Sequence, residues 1–214
     1  MSTREDVKQF SALPIDFSAI ELEPCPEAEP YFCTPEGAEI IGWLNGIHFI
    51  LLPGDEAVYC VEPEMGEENT FVLPVGKDFR EFLSYLLYCK CTSPLAQIAW
   101  MEEGQFRRLL AENARRVWPG CEETFQRRDQ ALSMLTETFG IQPLDPYARL
   151  RALQSVFDPA VLTFSDEYYD VLGLENPRHP GETEHLCSAE CASAQMLFPE
   201  DSECAEMLPR DQSF

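Results

Sequence analysis

Asn45-Gly46 sits between two apolar runs, residues 39–44 and 47–52, and no other feature narrows the fold of this chain as much. A two-residue connection needs positive φ at both positions, which asparagine and glycine tolerate better than other residues, so the pair predicts a type I′ β-hairpin. Pro53-Gly54-Asp55-Glu56 supplies a second turn and leads into residues 57–61, extending the hairpin to a three-strand antiparallel meander. Residues 71–75 read as one more short strand. Its Pro74 cannot donate a ladder hydrogen bond and belongs at an edge or a strand end.

The period changes at Asp78. Its carboxylate can accept from the free N–H groups of a helix start, and Glu81 can reach back three residues later, so a helix opens there. Phe79, Phe82, Leu83, Leu86 and Leu87 fall on one stripe of that helix, predicted to lie on the sheet. Ser93-Pro94 marks another start, for residues 95–101. Three helical stretches follow: 105–117, ended by Trp118-Pro119-Gly120; 122–139, ended by Gly140; and 146–156, capped by Asp145. Residues 161–164 read as a last strand, Ser165 as the cap of a short helix through Leu172, and residues 15–22 as extended chain. After Glu175 comes loop chemistry, then an acidic and weakly periodic stretch. The expected architecture is α+β, with an antiparallel sheet backed by helices over 1–101, a helical extension packed on that core over 102–175, and an acidic, loosely packed tail over 176–214.

Charge narrows the partners. The 214 residues carry Lys+Arg 15 against Asp+Glu 38, a net charge of -23. A field of that sign repels phosphate backbones and anionic lipid, which argues against nucleic-acid and membrane partners. The longest apolar stretches, such as 47–52 and 95–101, fall far short of the roughly 20 residues that cross a bilayer. The first ten residues lack the apolar core of a secretory signal, and the Cys 9 is an odd count. The cysteines therefore read as reduced thiols packed as small hydrophobes in a cytoplasmic protein.

Neither a Gly-rich phosphate loop nor His-Glu-x-x-His nor Gly-x-Ser-x-Gly occurs, and neither a catalytic residue nor a cofactor is assigned. His48, in a strand between Ile47 and Phe49, points away from both and reads as a hydrogen-bonded or solvent-facing sheet histidine. A nucleophile and base formed by Cys60 and His48 across adjacent strands has no local signature. Cys89 and Cys91 would diverge on a helix. His179, His185, Cys187, Cys191 and Cys204 are residue types that zinc takes, but their spacing matches no closed site, so no metal is assigned. Arginine pairs at 107/108, 115/116 and 127/128 form the basic concentration. Arg108 and Arg115 share a helix face and could grip an anion, or could lie on a solvated face where Arg108 pairs with Glu112. Glu62, Glu64, Glu67 and Glu68 crowd the loop after the meander, either for solubility or as a docking surface for a basic partner.

Residues 47–63, from Ile47-His48-Phe49-Ile50-Leu51-Leu52 through Pro53-Gly54-Asp55-Glu56 to Val58-Tyr59-Cys60-Val61-Glu62-Pro63, are followed by Phe79-Arg80-Glu81-Phe82-Leu83. This order resembles the second half of a SUKH-superfamily domain, over residues 38–90 or so. That family includes a fungal regulator of cell-wall synthesis and many bacterial immunity proteins. The resemblance implies an α+β fold with a sheet backed by helices, and binding without catalysis. The expected function is inhibition of a basic, nuclease-type toxin through an acidic face bearing Glu62, Glu64, Glu67 and Glu68. A small enzyme or anionic-ligand domain using Arg108 and Arg115 in a pocket between sheet and helices is one alternative. A regulatory scaffold whose acidic tail recruits partners is another.

Overall fold

The computed structural model describes residues 2–25, 27–115 and 122–180. The chain divides into two compact units, Met1–Leu172 and Gly173–Phe214. Of the second, residues 173–180 are described, with the Asn176 side chain accepting from the Arg178 N–H (2.9 Å) in a local turn.

The first unit is α+β and carries the meander in chain order: β1 (Glu39–Leu44), β2 (Ile47–Leu51), β3 (Val58–Val61) and β4 (Val72–Gly76) form one antiparallel sheet. Asn45 and Gly46 have φ of 38° and 88°, as the primed hairpin turn requires, and the turn sets Leu44 opposite Ile47 and Trp43 opposite His48. Pro74 lies on β4, an edge strand, opposite Tyr59. The other edge is closed at one point, where Trp43 and Glu23 exchange backbone hydrogen bonds of 2.9 and 3.1 Å.

One face of the sheet contributes Ile41, Leu44, Phe49, Leu51, Val58, Cys60 and Val75 to a core completed by α2 (Phe79–Cys89). Asp78 caps α2 by accepting from the Glu81 N–H at 2.8 Å. Glu81 reaches back one residue further than expected, to the Lys77 N–H (3.0 Å). The expected single apolar stripe is wider in fact, because α2 is buried from Phe82 through Leu87. Its far side is covered by Val7 and Phe10 of α1 (Thr3–Ser11) and by Leu132, Leu135 and Phe139 of α5 (Glu122–Phe139).

Helix α1 replaces a segment to which no element was assigned. Ser2 and Glu5 form a reciprocal capping box at its start, and Arg80 of α2 holds Asp6 in place with two bonds of 2.8 and 2.9 Å. Residues 15–22 are not simply extended, since Asp16 opens a 3-10 turn at Phe17–Ile20. The expected helix at 95–101 is α3 (Ser93–Gln97) followed by a 3-10 turn, Ile98–Trp100. The next helices, α4 (Glu103–Arg115), α5 and α6 (Tyr147–Ser155), fall where the sequence periods place them. Phe106, Leu135 and Leu150 from these helices share one core with Phe49, so residues 102–172 are continuous with the sheet unit.

The second face of the sheet is covered as well. Ile50, Tyr59, Val61 and Val72 are buried there. Tyr31 stacks on His48 with ring centroids 4.0 Å apart, Phe32 meets Phe71 edge-on at 5.4 Å, and Phe157 meets Tyr59 at 5.6 Å. Residues 161–164 are not a strand: Asp158 caps a 3-10 turn at Pro159–Val161, and Phe164 turns inward to stack on Tyr168 of α7 (Asp166–Leu172) at 4.0 Å. Its contribution is a buried aromatic in this second layer. No helix among the described residues is long and apolar enough to cross a membrane.

Candidate functional site

The acidic run leaves β3 at Val61 and returns to β4 at Val72. A loop rich in carboxylates should splay through self-repulsion, and here a set of hydrogen bonds opposes it. Glu62 turns inward, 6% exposed, and its Oε1 accepts from the N–H groups of Glu64 (3.1 Å) and Met65 (3.3 Å). This corrects its place among the docking residues: Glu62 folds the loop from inside and is not part of its outer surface. Its charge is felt nearby, since burial first and Glu62 second raise the Cys60 thiol and push that of Cys33 up to about 12.

The rest of the loop closes on itself. The Gly66 N–H donates to the Glu62 carbonyl (3.2 Å), while Thr70 and Phe71 donate to the Glu67 carbonyl at 2.7 and 3.1 Å. Gly66 is required by space. A Cβ there would stand 2.6 Å from the Glu62 carbonyl oxygen and 2.7 Å from the Phe71 Cα. Phe71 anchors the loop among Phe32 and Tyr168, and the Tyr168 hydroxyl donates to the Glu68 carbonyl at 2.9 Å. Burial, with the Glu68 charge adding to it, pushes that hydroxyl up to about 12.

What remains outside is Glu64, Glu67 and Glu68, all exposed, with Met65 at 53% exposure among them. Among the described residues none of the three is ion-paired. A fixed loop presenting three unpaired carboxylates around an apolar side chain can receive a cationic surface at little ordering cost.

Two arginines of the basic concentration are held by carboxylates. Arg108 is exposed on α4, and the Arg115 side chain lies outside the described residues, so the two are not seen to form one grip. Arg107 instead bonds Asp145 (2.6 Å), Glu103 (3.0 Å) and the Tyr88 hydroxyl (2.9 Å), which ties α4 to the start of α6. Asp145 is held below the ordinary carboxylate range, its bonds to Arg107 and the Tyr147 N–H outweighing burial. Arg127 pairs with Asp16 at 2.7 Å.

His48 is 2% exposed, beneath Tyr31, with Nδ1 buried and unpartnered, and burial lowers its pKa. It is neither solvent-facing nor paired with Cys60, which opposes Phe49 and points to the other face of the sheet. Cys33, Cys60, Cys89 and Cys91 are buried free thiols, and burial pushes Cys89 up to about 12. These thiols are poor nucleophiles and poor metal ligands. His185, Cys187, Cys191 and Cys204 lie outside the described residues, as does the tail from residue 181 onward. Among the described residues no group of three or more His, Cys, Asp or Glu could hold a metal ion. Compared with known proteins, the chain matches no family model, no curated protein and no solved structure.

Proposed function

We propose that this chain is a non-catalytic protein-binding domain of the SUKH kind, which docks a basic protein partner through the outer surface of the β3–β4 loop. The observation that carries the reading is the group of exposed, unpaired carboxylates Glu64, Glu67 and Glu68 around Met65, on a loop held rigid by the buried Glu62 carboxylate. A nuclease-type toxin is the partner of matching chemistry, because a groove that holds a phosphate backbone is basic and an acidic surface competes for it. The resemblance of residues 47–63 and 79–83 to SUKH domains supports the same reading, and those residues supply β2, β3 and the opening of α2. Buried free thiols support a reducing, cytoplasmic setting.

The test compares two baits in a pull-down from host lysate: the wild-type chain, and Glu64→Lys/Glu67→Lys/Glu68→Lys. Capture is read at about 0.05 M and about 0.5 M salt, where the Debye length falls from about 14 Å to about 4 Å. The wild type should retain a basic protein at low salt, release it at high salt, and inhibit that protein's activity when added back; the variant should not retain it. Identical capture by both baits, or capture by neither, contradicts the reading.

A further inference from the structure

The geometry points to a second site, independent of the acidic loop: an oxyanion-binding cleft around Arg128, suited to a small molecule carrying a carboxylate or phosphate group. The cleft, about 430 Å³, lies between the 3-10 turn at Phe17–Ile20, α3, α4 and α5. Arg128 lines it, its guanidinium carbon over the Phe125 ring, 4.5 Å from the centroid.

Arg128 is half-buried and, among the described residues, lacks a carboxylate partner. Arg4, Arg80, Arg107 and Arg127 each have a carboxylate partner within 4.0 Å, in a chain with a surplus of 23 negative charges. Arg128 has none among the described residues, donates no hydrogen bond there, and has its Nε buried without an acceptor. The buried Nε is closed to the cleft, so an oxyanion would meet the outer guanidinium nitrogens, whose planar fork matches carboxylate and phosphate oxygens. The Phe125 ring beneath it holds the guanidinium in place before anything binds.

The cleft offers neutral donors beside this cation. The Asn113 amide projects from α4, four residues after Leu109, which forms an apolar wall with Phe125. The Ser93 hydroxyl oxygen accepts from the Gln97 amide (3.1 Å), which leaves its proton to donate elsewhere. Glu21, the one carboxylate of the lining among the described residues, accepts from the Ser93 N–H at 3.2 Å and forms no ion pair with Arg128. One preset guanidinium, an amide and a hydroxyl together are a donor set for an oxyanion; a cation would meet Arg128 unscreened. The exposed Arg108 is not among the described residues of this lining, and the guanidinium that is there belongs to Arg128.

Isothermal titration of the full chain with two probes, inorganic phosphate and succinate, at constant ionic strength, tests this. Saturable 1:1 binding of at least one probe is expected. Phosphate alone assigns the site to phosphate compounds, succinate alone to carboxylates, and both together to oxyanions in general. Arg128→Gln should weaken that binding by at least about tenfold, the usual loss when a charged hydrogen-bond donor is removed. Asn113→Asp, which places a carboxylate beside the guanidinium without altering it, should do the same in a chain whose thermal midpoint is preserved. Arg108→Gln should bind as the wild type does. Absence of saturable binding by either probe, or equal binding by Arg128→Gln and Asn113→Asp, overturns the assignment.

Discussion

Replacing Arg80 with methionine leaves Asp6 as a buried carboxylate with no cation. In the wild type the two bonds are 2.8 and 2.9 Å long, the Asp6 side chain is 3% exposed and that of Arg80 is 40% exposed. Breaking a buried pair by removing one partner costs about 3–5 kcal/mol. Water reaches one side of Arg80, so the lower end of that range applies, about 3 kcal/mol. For a chain of this size the thermal midpoint should then fall by roughly 6–12 °C, at about 2–4 °C per kcal/mol. Removing both charges should undo most of the loss, because a pair replaced by apolar side chains of similar volume is close to neutral. Urea unfolding of the wild type, Arg80→Met and Asp6→Leu/Arg80→Met gives the three stabilities on one scale, with unchanged slopes showing that the same surface is exposed. A cost below about 1 kcal/mol for Arg80→Met, the range of an exposed ion pair, would refute the view that this contact clamps α1 to α2. So would a double variant less stable than the single one.

Burial lowers the His48 pKa, so below pH of about 6.5 the unfolded chain takes up a proton that the fold resists. Stability should therefore be complete above that pH and fall as the pH drops through it; His48→Phe, which keeps the stack on Tyr31, should flatten this part of the slope in urea midpoints taken at several pH values. A variant with the wild-type slope would show that His48 is not responsible. Native alkylation followed by peptide mass mapping should modify the half-buried Cys25 well before Cys33, Cys60, Cys89 and Cys91, whose thiols burial holds protonated. Reaction of Cys60 at the rate of Cys25 would contradict this. Gly66→Ala drives a Cβ against backbone at 2.6 and 2.7 Å, and should cost about 1–3 kcal/mol while speeding amide exchange at Glu64 and Met65. Unchanged exchange there would mean that the loop has room the structure does not show.

Local chemistry made much of this fold legible. Asn45-Gly46 marks its hairpin, Asp78 its main helix, and the period of residues 122–139 matches α5 at both ends. Helix α1 carried a readable signal too, Ser2 followed by Glu5, although the apolar stripe behind it is short. The covered second face was harder to see. Residues 47–51 and 58–61 have almost no polar alternation, which is the mark of strands buried on both sides, yet their covers at Tyr31, Phe32, Phe157 and Phe164 sit in irregular chain with no period to find. The site divides in the same way. Charge density pointed to the β3–β4 loop, but Glu62 and Glu64 are the same residue type, and only the backbone path shows that one carboxylate turns inward while the other stays outside. Arg127 and Arg128 are likewise neighbours in sequence, and Asp16, more than a hundred residues away, separates their roles by pairing with one of them.

The central claim concerns Glu64, Glu67 and Glu68 as a preset surface for a basic protein, and the association rate with the captured partner tests it most directly. Stopped-flow mixing across a range of ionic strengths should show a wild-type rate constant that falls steeply with salt, and a rate for Glu64→Lys/Glu67→Lys/Glu68→Lys that is about tenfold or more lower at low salt and nearly flat. Equal rates and equal salt slopes for the two proteins would contradict the account.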